Sequence, residues 1–510
     1  MCKARRRGRG DGAARFACIP QGVLDIPMGV CVRMGQRRSP PVFATEEREN
    51  RMILEQYYIE CLSHASYLIG DESTGRAVVV DPRRDVTEYL DDARRHGLRI
   101  EGVINTHFHA DFVSGHLELL EATGAWIGFG EAAEADYPIR RLRDGEHLSL
   151  GEVDLEILAT PGHTWESISV LVREHPGATP AAVLTGDSLF IGDVGRPDLV
   201  NLGDSSTEDL ARAMYRTVHE KLLTLPDAVT VLPAHGAGSS CGKNLSAELT
   251  STIGEQRVSN PSVQPMSEEA FVALVTEGQP AAPAYFSVDA GLNKSIHPLL
   301  DQGRSIPELS PARVRAELAA GTRVLDARSV DDFAAGHLRG SVNVGFDGRF
   351  AETGGMVAEV GEQIVLITYP GEEQDAAVRL ARIGSDNAAG YLTVDHDGVF
   401  PAELADLVQP AVRTTVAQLD ELLAAEAVTL VDIRNPGERE FGVIPGAVPI
   451  PLAQLRTRLG QVPTGKPIVV HCAGGWRSSV AASLLRAQGF DNVSDLLGGY
   501  NAWAEAHVPA

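Results

Sequence analysis

The stretch Val103-Ile-Asn-Thr-His-Phe-His-Ala-Asp-Phe112 decides how this chain is interpreted. It begins with apolar residues typical of a buried strand and then places His107, His109 and Asp111 close together. These side chains can bind a metal and come where a strand ends. They therefore indicate a metal site at the edge of a sheet. A His-x-His pair alone is weak support, because many buried histidines only pack and form hydrogen bonds.

Three later segments repeat this arrangement of a strand followed by a metal donor. Thr160-Pro-Gly-His163, Leu184-Thr-Gly-Asp187 and Pro233-Ala-His235 each follow a short apolar run. If the strands share sheets, these loops converge, and imidazole together with carboxylate suits iron, zinc or manganese. The four segments in this order therefore predict a metal centre rather than four unrelated packing residues.

The composition limits the classes of partner. The chain has 510 residues and a formal net charge of -24, and no apolar run approaches the ~18 residues of a membrane span. The negative charge argues against nucleic acid and against an anionic membrane as partners. Six sparse, unpatterned cysteines favour a reducing cytoplasm over a disulfide framework. We also expect a homo-oligomer.

Changes in pattern along the chain divide it into segments. Residues 1–51 are basic and aperiodic, so we expect a disordered tail or a mis-called start codon. Short apolar runs alternate with helical patterns in residues 52–257, which we assign to one α/β domain carrying the metal donors. A connecting segment richer in Pro, Ser and Gly follows at 258–307, and two further modules occupy 308–402 and 411–510.

Within the first domain, apolar runs predict strands and amphipathic patterns predict helices. The predicted strands are residues 67–69, 77–80, 100–104, 155–158, 168–172, 182–184 and 229–232. The predicted helices are residues 85–96, 114–122 and 207–223, and the connecting segment has one amphipathic stretch at 267–277.

The C-terminal part of the chain contains an internal repeat. Residues 323–328 match residues 429–434, both with an Asp-x-Arg segment, and residues 364–367 match residues 468–471. A strand, the Asp-x-Arg segment, a second buried strand and a helix recur in the same order. We therefore predict two α/β modules that arose by duplication.

The second copy ends its buried strand with His-Cys472-Ala-Gly-Gly-Trp-Arg477, followed by a helical pattern. Its small residues let backbone N–H groups turn toward the sulfur, and the helix N-terminus and Arg477 add positive potential. We expect Cys472 to be nucleophilic and to carry sulfane sulfur.

The first copy lacks this chemistry. Aligning the strands places Thr368 at the position of Cys472, and Glu373 at the position of Arg477. This copy has no thiol there, and its charge has the wrong sign for an anionic sulfur. We expect it to be silent in sulfur transfer and to serve as a scaffold or docking module.

The four donor segments resemble the metallo-β-lactamase superfamily over residues 57–250. The family pattern is His-x-His-x-Asp-His, Gly-His, Asp and His, and the resemblance implies an αββα sandwich. The chain departs from the pattern at Phe112, where the two-metal hydrolases of the family carry histidine. A phenyl ring cannot bind a metal, so the departure favours a single ion.

Within this family the chain most resembles the persulfide dioxygenases, which implies roles for individual residues. His107, His163 and Asp187 would form the 2-His-1-carboxylate triad of one Fe(II) per chain, with zinc as the alternative ion after purification. The remaining donors would orient these ligands or bind the metal themselves. They are His109, Asp111 and His235.

The same resemblance includes two further residues. Arg196, in Gly195-Arg-Pro-Asp198, would hold the carboxylate of a thiol carrier such as glutathione; a surface or capping arginine is the alternative. Cys241 follows the last histidine segment in a glycine-rich stretch and would receive or present a persulfide near the metal. An inert loop cysteine is equally compatible with that stretch.

The Cys-x4-Arg loop resembles the rhodanese active site, and both C-terminal modules resemble rhodanese-like domains. The predicted fold class is an α/β multidomain chain, an αββα sandwich followed by two α/β rhodanese-like domains. The resemblances imply an enzyme that oxidises thiol persulfides with O2 to sulfite and transfers sulfane sulfur, forming or using thiosulfate. The alternatives are a glyoxalase II-type zinc hydrolase of thioesters and a non-catalytic persulfide-trafficking scaffold.

Overall fold

The computed structural model describes residues 52–199 and 206–507. Residues 1–51, for which the sequence predicts a basic tail, lie outside the described residues. The strands of the first domain are β1 (Met52–Ile59), β2 (His64–Asp71), β3 (Arg76–Val80), β4 (Arg99–Ile104), β5 (Trp126–Gly130), β6 (Arg140–Leu142), β7 (His147–Ser149), β8 (Asp154–Ala159), β9 (Ile168–Arg173), β10 (Ala182–Gly186), β11 (Leu189–Phe190), β12 (Asp193–Val194), β13 (Thr230–Pro233) and β14 (Ser251–Thr252). Its helices are α1 (Thr87–Arg95), α2 (His116–Thr123), α3 (Thr207–Arg216) and α4 (Ile253–Ser259).

Two six-stranded sheets face each other in this domain. Their strand orders are β1-β2-β3-β4-β5-β6 and β14-β13-β10-β9-β8-β7. Apolar side chains from both sheets, among them Ile69 of β2 and Val170 of β9, form the core between them. Helices α1 and α2 cover the outer face of the first sheet, and α3 covers that of the second. The predicted αββα sandwich is thereby confirmed.

Six of the seven predicted strands of this domain fall within observed strands, and the seventh, 229–232, is shifted by one residue from β13. The predicted helix 207–223 is α-helical only to Arg216 and continues as a π-turn, Thr217–Lys221. Its start is fixed by a capping box between Ser206 and Asp209. Thr217 donates a hydrogen bond to the carbonyl of Pro161 at 2.7 Å, so the π-turn helps to hold the loop that carries His163.

The connecting segment 258–307 is structured. It contains helices α5 (Glu268–Thr276), within the predicted amphipathic stretch, and α6 (Phe286–Lys294). Asn293 of α6 donates to the carbonyls of His109 and Phe112 at 2.7 and 2.8 Å. The segment therefore packs against the metal-donor loop of the first domain as well as linking domains.

The last two modules repeat one α/β plan. The first contains β15 (Arg323–Asp326), β16 (His337–Leu338), β17 (Val342–Asn343), β18 (Ile364–Thr368), β19 (Ala388–Thr393) and β20 (Val408–Gln409), with α7 (Pro311–Ala320), α8 (Val330–Ala335), α9 (Phe350–Val357) and α10 (Glu373–Ala381). The second contains β21 (Arg413–Thr414), β22 (Thr429–Asp432), β23 (Val448–Pro449), β24 (Ile468–His471) and β25 (Val493–Leu496), with α11 (Val416–Ala424), α12 (Pro436–Glu440), α13 (Leu452–Leu455), α14 (Trp476–Ala487) and α15 (Gly499–His507). Among the described residues, none of these helices is long and apolar enough to span a membrane.

The Asp-x-Arg segments form the same buried ion pair in both copies, which confirms the repeat. Arg328 Nη2 lies 2.7 Å from Asp326 Oδ2, and Arg434 Nη2 lies 2.8 Å from Asp432 Oδ2. All four residues are almost inaccessible to solvent. Each pair therefore braces the turn that follows the central strand of its module.

The first module docks on the metal-donor domain through two buried arginines. Arg382 donates to both carboxylate oxygens of Asp85 at 2.9 and 2.6 Å, and its carbonyl accepts from the Val113 N–H at 2.8 Å. Arg84 of the metal-donor domain reaches the opposite way and donates to Asp386 Oδ1 at 2.7 Å. Both arginines are at most 3 % exposed, but the Asp386 side chain is 39 % exposed, so the Arg382–Asp85 pair is the more buried of the two.

The opposite side of the first module packs against helix α14 of the second. The backbone N–H of Asn343 donates to Ser483 Oγ at 3.0 Å, and Ser479 Oγ donates to Asn343 Oδ1 at 2.9 Å. One hydrophobic cluster includes both Leu366 and Val480, so the two modules share a core. The first module, for which the sequence predicts no sulfur transfer and which is called the silent module below, thus lies between the metal-donor domain and the Cys472 module.

We expect Arg382→Gln to weaken this docking, because the Asp85 carboxylate loses its ionic partner across the interface and keeps only Arg83 of its own domain. The expected loss is about 3 kcal/mol in the free energy of unfolding, the cost typical of breaking a buried pair. Urea denaturation measures it. The control Arg315→Gln removes an arginine from an exposed pair with Asp406 and should cost less than about 1 kcal/mol. Equal losses in the two variants would contradict the docking role.

Candidate metal centre and sulfur-transfer loop

The predicted metal donors converge where strands of the two facing sheets end. His107 follows β4 of the first sheet, whereas Asp187 and His235 follow β10 and β13, which are parallel neighbours in the second. His163 lies in the loop between β8 and β9 of the same sheet. All four residues are at most 2 % exposed. The convergence expected from the sequence is therefore present.

His107, His163 and Asp187 form one cluster, whose ligand atoms all lie within 4.8 Å of one another. Asp187 Oδ2 lies 3.5 Å from His163 Nε2 and 3.9 Å from His107 Nε2. His107 Nε2 and both Asp187 carboxylate oxygens are buried without a hydrogen-bond partner among the described residues. Such unpaired atoms cost about 1–3 kcal/mol each, which a bound cation removes. These side chains fit a metal ion.

Hydrogen bonds at the far side of each ring aim Nε2 at the cluster. His163 Nδ1–H donates to the carbonyl of Arg196 at 2.8 Å. Thr106 Oγ1–H donates to Asp81 at 2.9 Å, so this oxygen accepts from His107 Nδ1–H at 3.0 Å. Partners of this kind fix both the tautomer and the orientation of histidines that bind metals.

The protonation states suit metal binding. Burial lowers the pKa of His163 to about 4. Burial, followed by the neighbouring His109, holds the pKa of His107 well below its usual range. Both imidazoles are therefore neutral near pH 7 and leave Nε2 unprotonated, which is the form that binds a metal. Burial, with a smaller contribution from Asp111, raises the pKa of Asp187 to about 6.

A second cluster of donors lies beside the first. It joins His109, Asp111 and His235, with His235 Nε2 lying 3.4 Å from Asp111 Oδ2 and 3.6 Å from Asp187 Oδ1. His109 Nε2 donates to Asp81 at 2.9 Å, which leaves Nδ1 unpaired. The roles predicted for these three residues, orienting the ligands or binding the metal, are both compatible with this geometry.

Phe112 occupies the position where the family pattern has a further histidine. Its ring centroid lies 4.4 Å from that of His109 and 4.1 Å from that of His64. Both ring nitrogens of His64 are buried without a hydrogen-bond partner among the described residues, and burial holds its pKa well below the usual value. A phenyl ring and a neutral imidazole therefore line this side of the second cluster.

Cys241 lies beside the metal ligands, as the sequence predicts. A ligand-atom cluster joins its Sγ with Asp187 and His235 within 4.8 Å, and the residue is 1 % exposed. Burial, together with the charges of Asp111 and Asp187, holds the pKa of this thiol well above its usual range. Its predicted role in receiving or presenting a persulfide stays a prediction.

Arg196 lies next to the same loop, but its guanidinium is already engaged. It donates to both carboxylate oxygens of Asp198 at 2.7 and 2.8 Å, and to the carbonyls of Ser240 and Pro280 at 3.1 and 2.7 Å. The residue is 2 % exposed. A carrier carboxylate would have to replace one of these partners, so the predicted substrate-binding role stays a prediction.

The Cys472 loop shows the expected backbone geometry. The Gly475 N–H donates to Cys472 Sγ at 3.1 Å, and Ser478 Oγ lies 3.7 Å from the sulfur. Gly475 has a φ of 102°, a left-handed conformation that favours glycine, and helix α14 begins at the next residue. Arg477 differs from expectation, because Glu438 binds its guanidinium (Nη1–Oε2 2.7 Å) and offsets its charge near the sulfur.

The strand register confirms the alignment of the two copies. Asp326 pairs with Ile367 in the first module, and Asp432 pairs with His471 in the second. The next residues in the chain, Thr368 and Cys472, are therefore equivalent. The silent module holds a hydroxyl where the other module holds a thiol.

Comparison with known proteins agrees with this geometry. The family model described as "Metallo-beta-lactamase superfamily" matches residues 59–235, and that of the "Rhodanese-like domain" matches residues 310–396 and 415–506. The mitochondrial persulfide dioxygenase of Bos taurus is 32% identical over 216 residues, which cover 41% of this chain and 75% of that protein. The chain belongs to the metallo-β-lactamase superfamily.

Two further proteins of this superfamily are similar to the chain. The cytoplasmic hydroxyacylglutathione hydrolase of Arabidopsis thaliana is 34% identical over 198 residues, covering 38% of this chain and 71% of that protein. A crystal structure of a metallo-beta-lactamase from Staphylococcus aureus subsp. aureus COL is 32% identical with a TM-score of 0.62, covering 68% of this chain and 99% of that one. That coverage exceeds the metallo-β-lactamase domain alone.

Sequence reasoning missed three residues around the metallo-β-lactamase site. Asp81 follows β3 directly, so the rule that found the other donors, a polar residue at a strand end, could have found it. His64 and Asn293 gave no such signal. His64 opens a strand rather than following one, and Asn293 lies in the segment predicted as a linker. Only the tertiary structure brings them to the donor loop.

We expect Asp187→Ala to lose the bound metal, because its carboxylate is the only one in the cluster with His107 and His163. Metal analysis of purified protein should fall from one ion per chain to near zero. The matched variant Asp111→Asn should retain its ion, since Asp111 belongs only to the second cluster. Retention in Asp187→Ala with loss in Asp111→Asn would instead assign the ion to the second cluster.

Proposed function

We propose that the metallo-β-lactamase domain oxidises thiol persulfides with O2 to sulfite at one ferrous ion, and that Cys472 transfers sulfane sulfur. One observation supports this proposal above all. The residues form a complete set of ligands for one metal ion, whereas the set for a second ion is incomplete. His107, His163 and Asp187 offer the 2-His-1-carboxylate set of non-haem iron enzymes. Phe112 stands where a further donor of a second ion would be needed. The similarity to a persulfide dioxygenase supports the same assignment.

When bound, ferrous iron supplies redox chemistry for O2, with coordination positions left open by three protein ligands. The chain surrounds the donors with buried side chains. Phe112 and Phe190 are completely buried near the donors, and the ligands themselves are nearly inaccessible. His64 adds a neutral imidazole with two unpaired nitrogens, which suits a hydrogen bond to the substrate sulfur or its proton.

The chemistry proposed for Cys472 is transfer of one sulfur atom. A nucleophile attacks the outer sulfur of the Cys472 persulfide, the S–S bond to Sγ breaks, and Sγ leaves with the electron pair as a thiolate. The Gly475 N–H already points at Sγ and would stabilise that charge. With sulfite as the nucleophile the product is thiosulfate.

Cys241 is proposed to face the persulfide in the metal pocket. The raised pKa of its thiol means that it remains protonated at neutral pH in this buried setting. In that state it can donate a hydrogen bond to a bound sulfur, and it becomes a nucleophile only if a bound metal offsets the nearby carboxylates.

A thioester hydrolase is the alternative, and one observation favours it. His109, Asp111 and His235 form a second set of three donors, and the chain is 34% identical to a hydroxyacylglutathione hydrolase. Hydrolysis of that type would use two zinc ions and a metal-bound hydroxide. A persulfide-trafficking scaffold without catalysis is the second alternative.

Protein purified without exposure to air should contain one iron per chain and should consume O2 when glutathione persulfide is added. Oxygen-electrode traces combined with sulfite analysis test both points. Two zinc ions per chain, together with rapid thioester hydrolysis and no O2 uptake, would establish the hydrolase instead. Absence of both activities would instead support the persulfide-trafficking scaffold without catalysis.

Cys472→Ser should abolish sulfur transfer from a persulfide to sulfite, because no other residue of that loop carries a thiol. The same variant should retain O2 consumption with glutathione persulfide, since the metal donors are untouched. Cys241→Ser is the matched control, expected to keep sulfur transfer at Cys472. If Cys472→Ser loses both activities, the carrier is required for oxidation as well.

A further inference from the structure

Three donors beside the predicted iron ligands form a further cluster that the proposed function does not use to hold an ion. Ligand atoms of Asp187, His235 and Cys241 all lie within 4.8 Å of one another, and each residue is at most 2 % exposed. We call this cluster the Cys241 set. Among residues 52–199 and 206–507 it is the one metal-donor cluster that contains a sulfur atom. Its metal preference therefore differs from that of the sets made of imidazole and carboxylate alone.

His235 is oriented to offer one nitrogen to the Cys241 set. Its Nδ1–H donates to the carbonyl of Ser63 at 3.1 Å, so Nε2 carries the free lone pair. Nε2 is buried without a hydrogen-bond partner in the part of the chain that the structure describes. It lies 3.6 Å from Asp187 Oδ1. A buried cation between these two atoms would remove the cost of leaving them unpaired, which is about 1–3 kcal/mol for each atom.

Asp187 can serve the Cys241 set and the predicted iron site together. Its Oδ2 faces His163 Nε2 at 3.5 Å, whereas its Oδ1 faces His235 Nε2 at 3.6 Å. A carboxylate whose oxygens face different histidines can bridge two ions, as in enzymes whose paired ions lie about 3.5–4 Å apart. Occupation of the Cys241 set therefore does not require loss of the ion bound by His107 and His163.

The loop that carries Cys241 is held on several sides. The Cys241 N–H donates to Ser239 Oγ at 3.1 Å, and the Cys241 carbonyl accepts from the Arg196 N–H at 3.2 Å. Ser240 Oγ donates to Glu352 Oε1 of the silent module at 2.7 Å. Because these contacts fix the loop in advance, little further ordering is needed to bring Sγ to an ion.

The pocket has a sulfur donor in Cys241 and lacks a nitrogen donor at Phe112. Thiolate is a soft ligand, which suits zinc and similar thiophilic ions, whereas magnesium, calcium and manganese prefer oxygen donors. One thiolate, one imidazole and one carboxylate are all ligand types that zinc accepts. The Cys241 set therefore favours a thiophilic ion over a second ion that prefers oxygen.

We propose that Asp187, His235 and Cys241 form a second metal site, which binds a thiophilic divalent ion of the zinc type beside the first ion. When the ion binds, Sγ forms one bond to it and the thiol proton leaves to solvent, without electron transfer. Three protein donors leave one position of a tetrahedral ion open. The bound thiolate no longer faces a persulfide, so occupation of this site blocks the role proposed for Cys241.

Titration with Cd²⁺, a thiophilic ion, tests the site in full-length protein that retains its first ion. We expect one additional Cd²⁺ per chain, an ultraviolet charge-transfer band of a cadmium thiolate, and a sulfur neighbour in X-ray absorption at the cadmium edge. Cys241→Ser should remove the band and weaken binding by more than about 100-fold. Loss of a hydrogen-bond partner of a ligand alone typically costs about 10–100-fold, and Cys241 is itself a ligand in this site.

Cys61→Ser is the matched control. Cys61 is buried like Cys241, but its Sγ accepts from Arg382 and belongs to none of the metal-donor clusters of the described residues. This variant should keep the additional ion and its band. Asp111→Asn should keep them as well, because Asp111 belongs to the other set, with His109 and His235.

Four outcomes would overturn the proposal. They are absence of an additional ion, unchanged affinity and band in Cys241→Ser, equal losses in Cys61→Ser, and an added ion surrounded by nitrogen and oxygen only. The last outcome would assign the ion to His109, Asp111 and His235. X-ray absorption decides the question in the unmutated protein if Cys241→Ser fails to fold. None of these measurements uses persulfide or O2, so failure of the proposed oxidation would leave their result unchanged.

Discussion

The loop that carries His107 and His109 depends on hydrogen bonds to the buried carboxylate of Asp81. This carboxylate accepts from the Thr106 backbone N–H at 2.7 Å, from Thr106 Oγ1 at 2.9 Å and from His109 Nε2 at 2.9 Å. Thr106 in turn sets the tautomer of His107. Burial alone would lower the pKa of His109, but the Asp81 charge and hydrogen bond outweigh burial and raise it. The pKa values of the two neighbouring histidines are thus shifted in opposite directions, lowered for His107 mainly by burial and raised for His109 by the nearby carboxylates, Asp81 first.

The silent rhodanese-like module completes the wall of the same loop. Phe112 belongs to a cluster with Ala351 and Ile383 of that module, and Arg382 holds the Val113 N–H through its carbonyl. Glu352 of the module accepts from Ser240 Oγ at 2.7 Å, one residue before Cys241. Phe112, which stands at the position of the family histidine, and the loop of Cys241 therefore both contact the first rhodanese-like module. The apolar residue at position 112 is explained by packing against the module as well as by metal chemistry.

Local sequence patterns predict the parts of this structure that depend on the spacing of apolar residues and on polar residues at the ends of strands. The strands, the four donor segments, the Asp-x-Arg repeat and the equivalence of Thr368 with Cys472 follow from such patterns. The same patterns could not predict contacts between segments that lie far apart in the chain. Glu438 lies far from Arg477 in the chain, and its carboxylate changes the electrostatics of the Cys472 loop. Likewise Asn293, in a stretch predicted as a linker, fixes the donor loop through two carbonyls.

The rigidity of the assembly decides how the two centres can communicate. Cys472 is 1 % exposed, and its helix α14 is bound to the silent module through Asn343. The same module is bound to the metal-donor domain through Arg382 and Arg84. Moving Cys472 toward the metal would break the hydrogen bonds at Asn343 or the buried Arg382–Asp85 pair, and breaking such a buried pair costs about 3–5 kcal/mol. Exchange of a small molecule between fixed centres would avoid that cost, and tethering both centres in one chain raises its effective concentration.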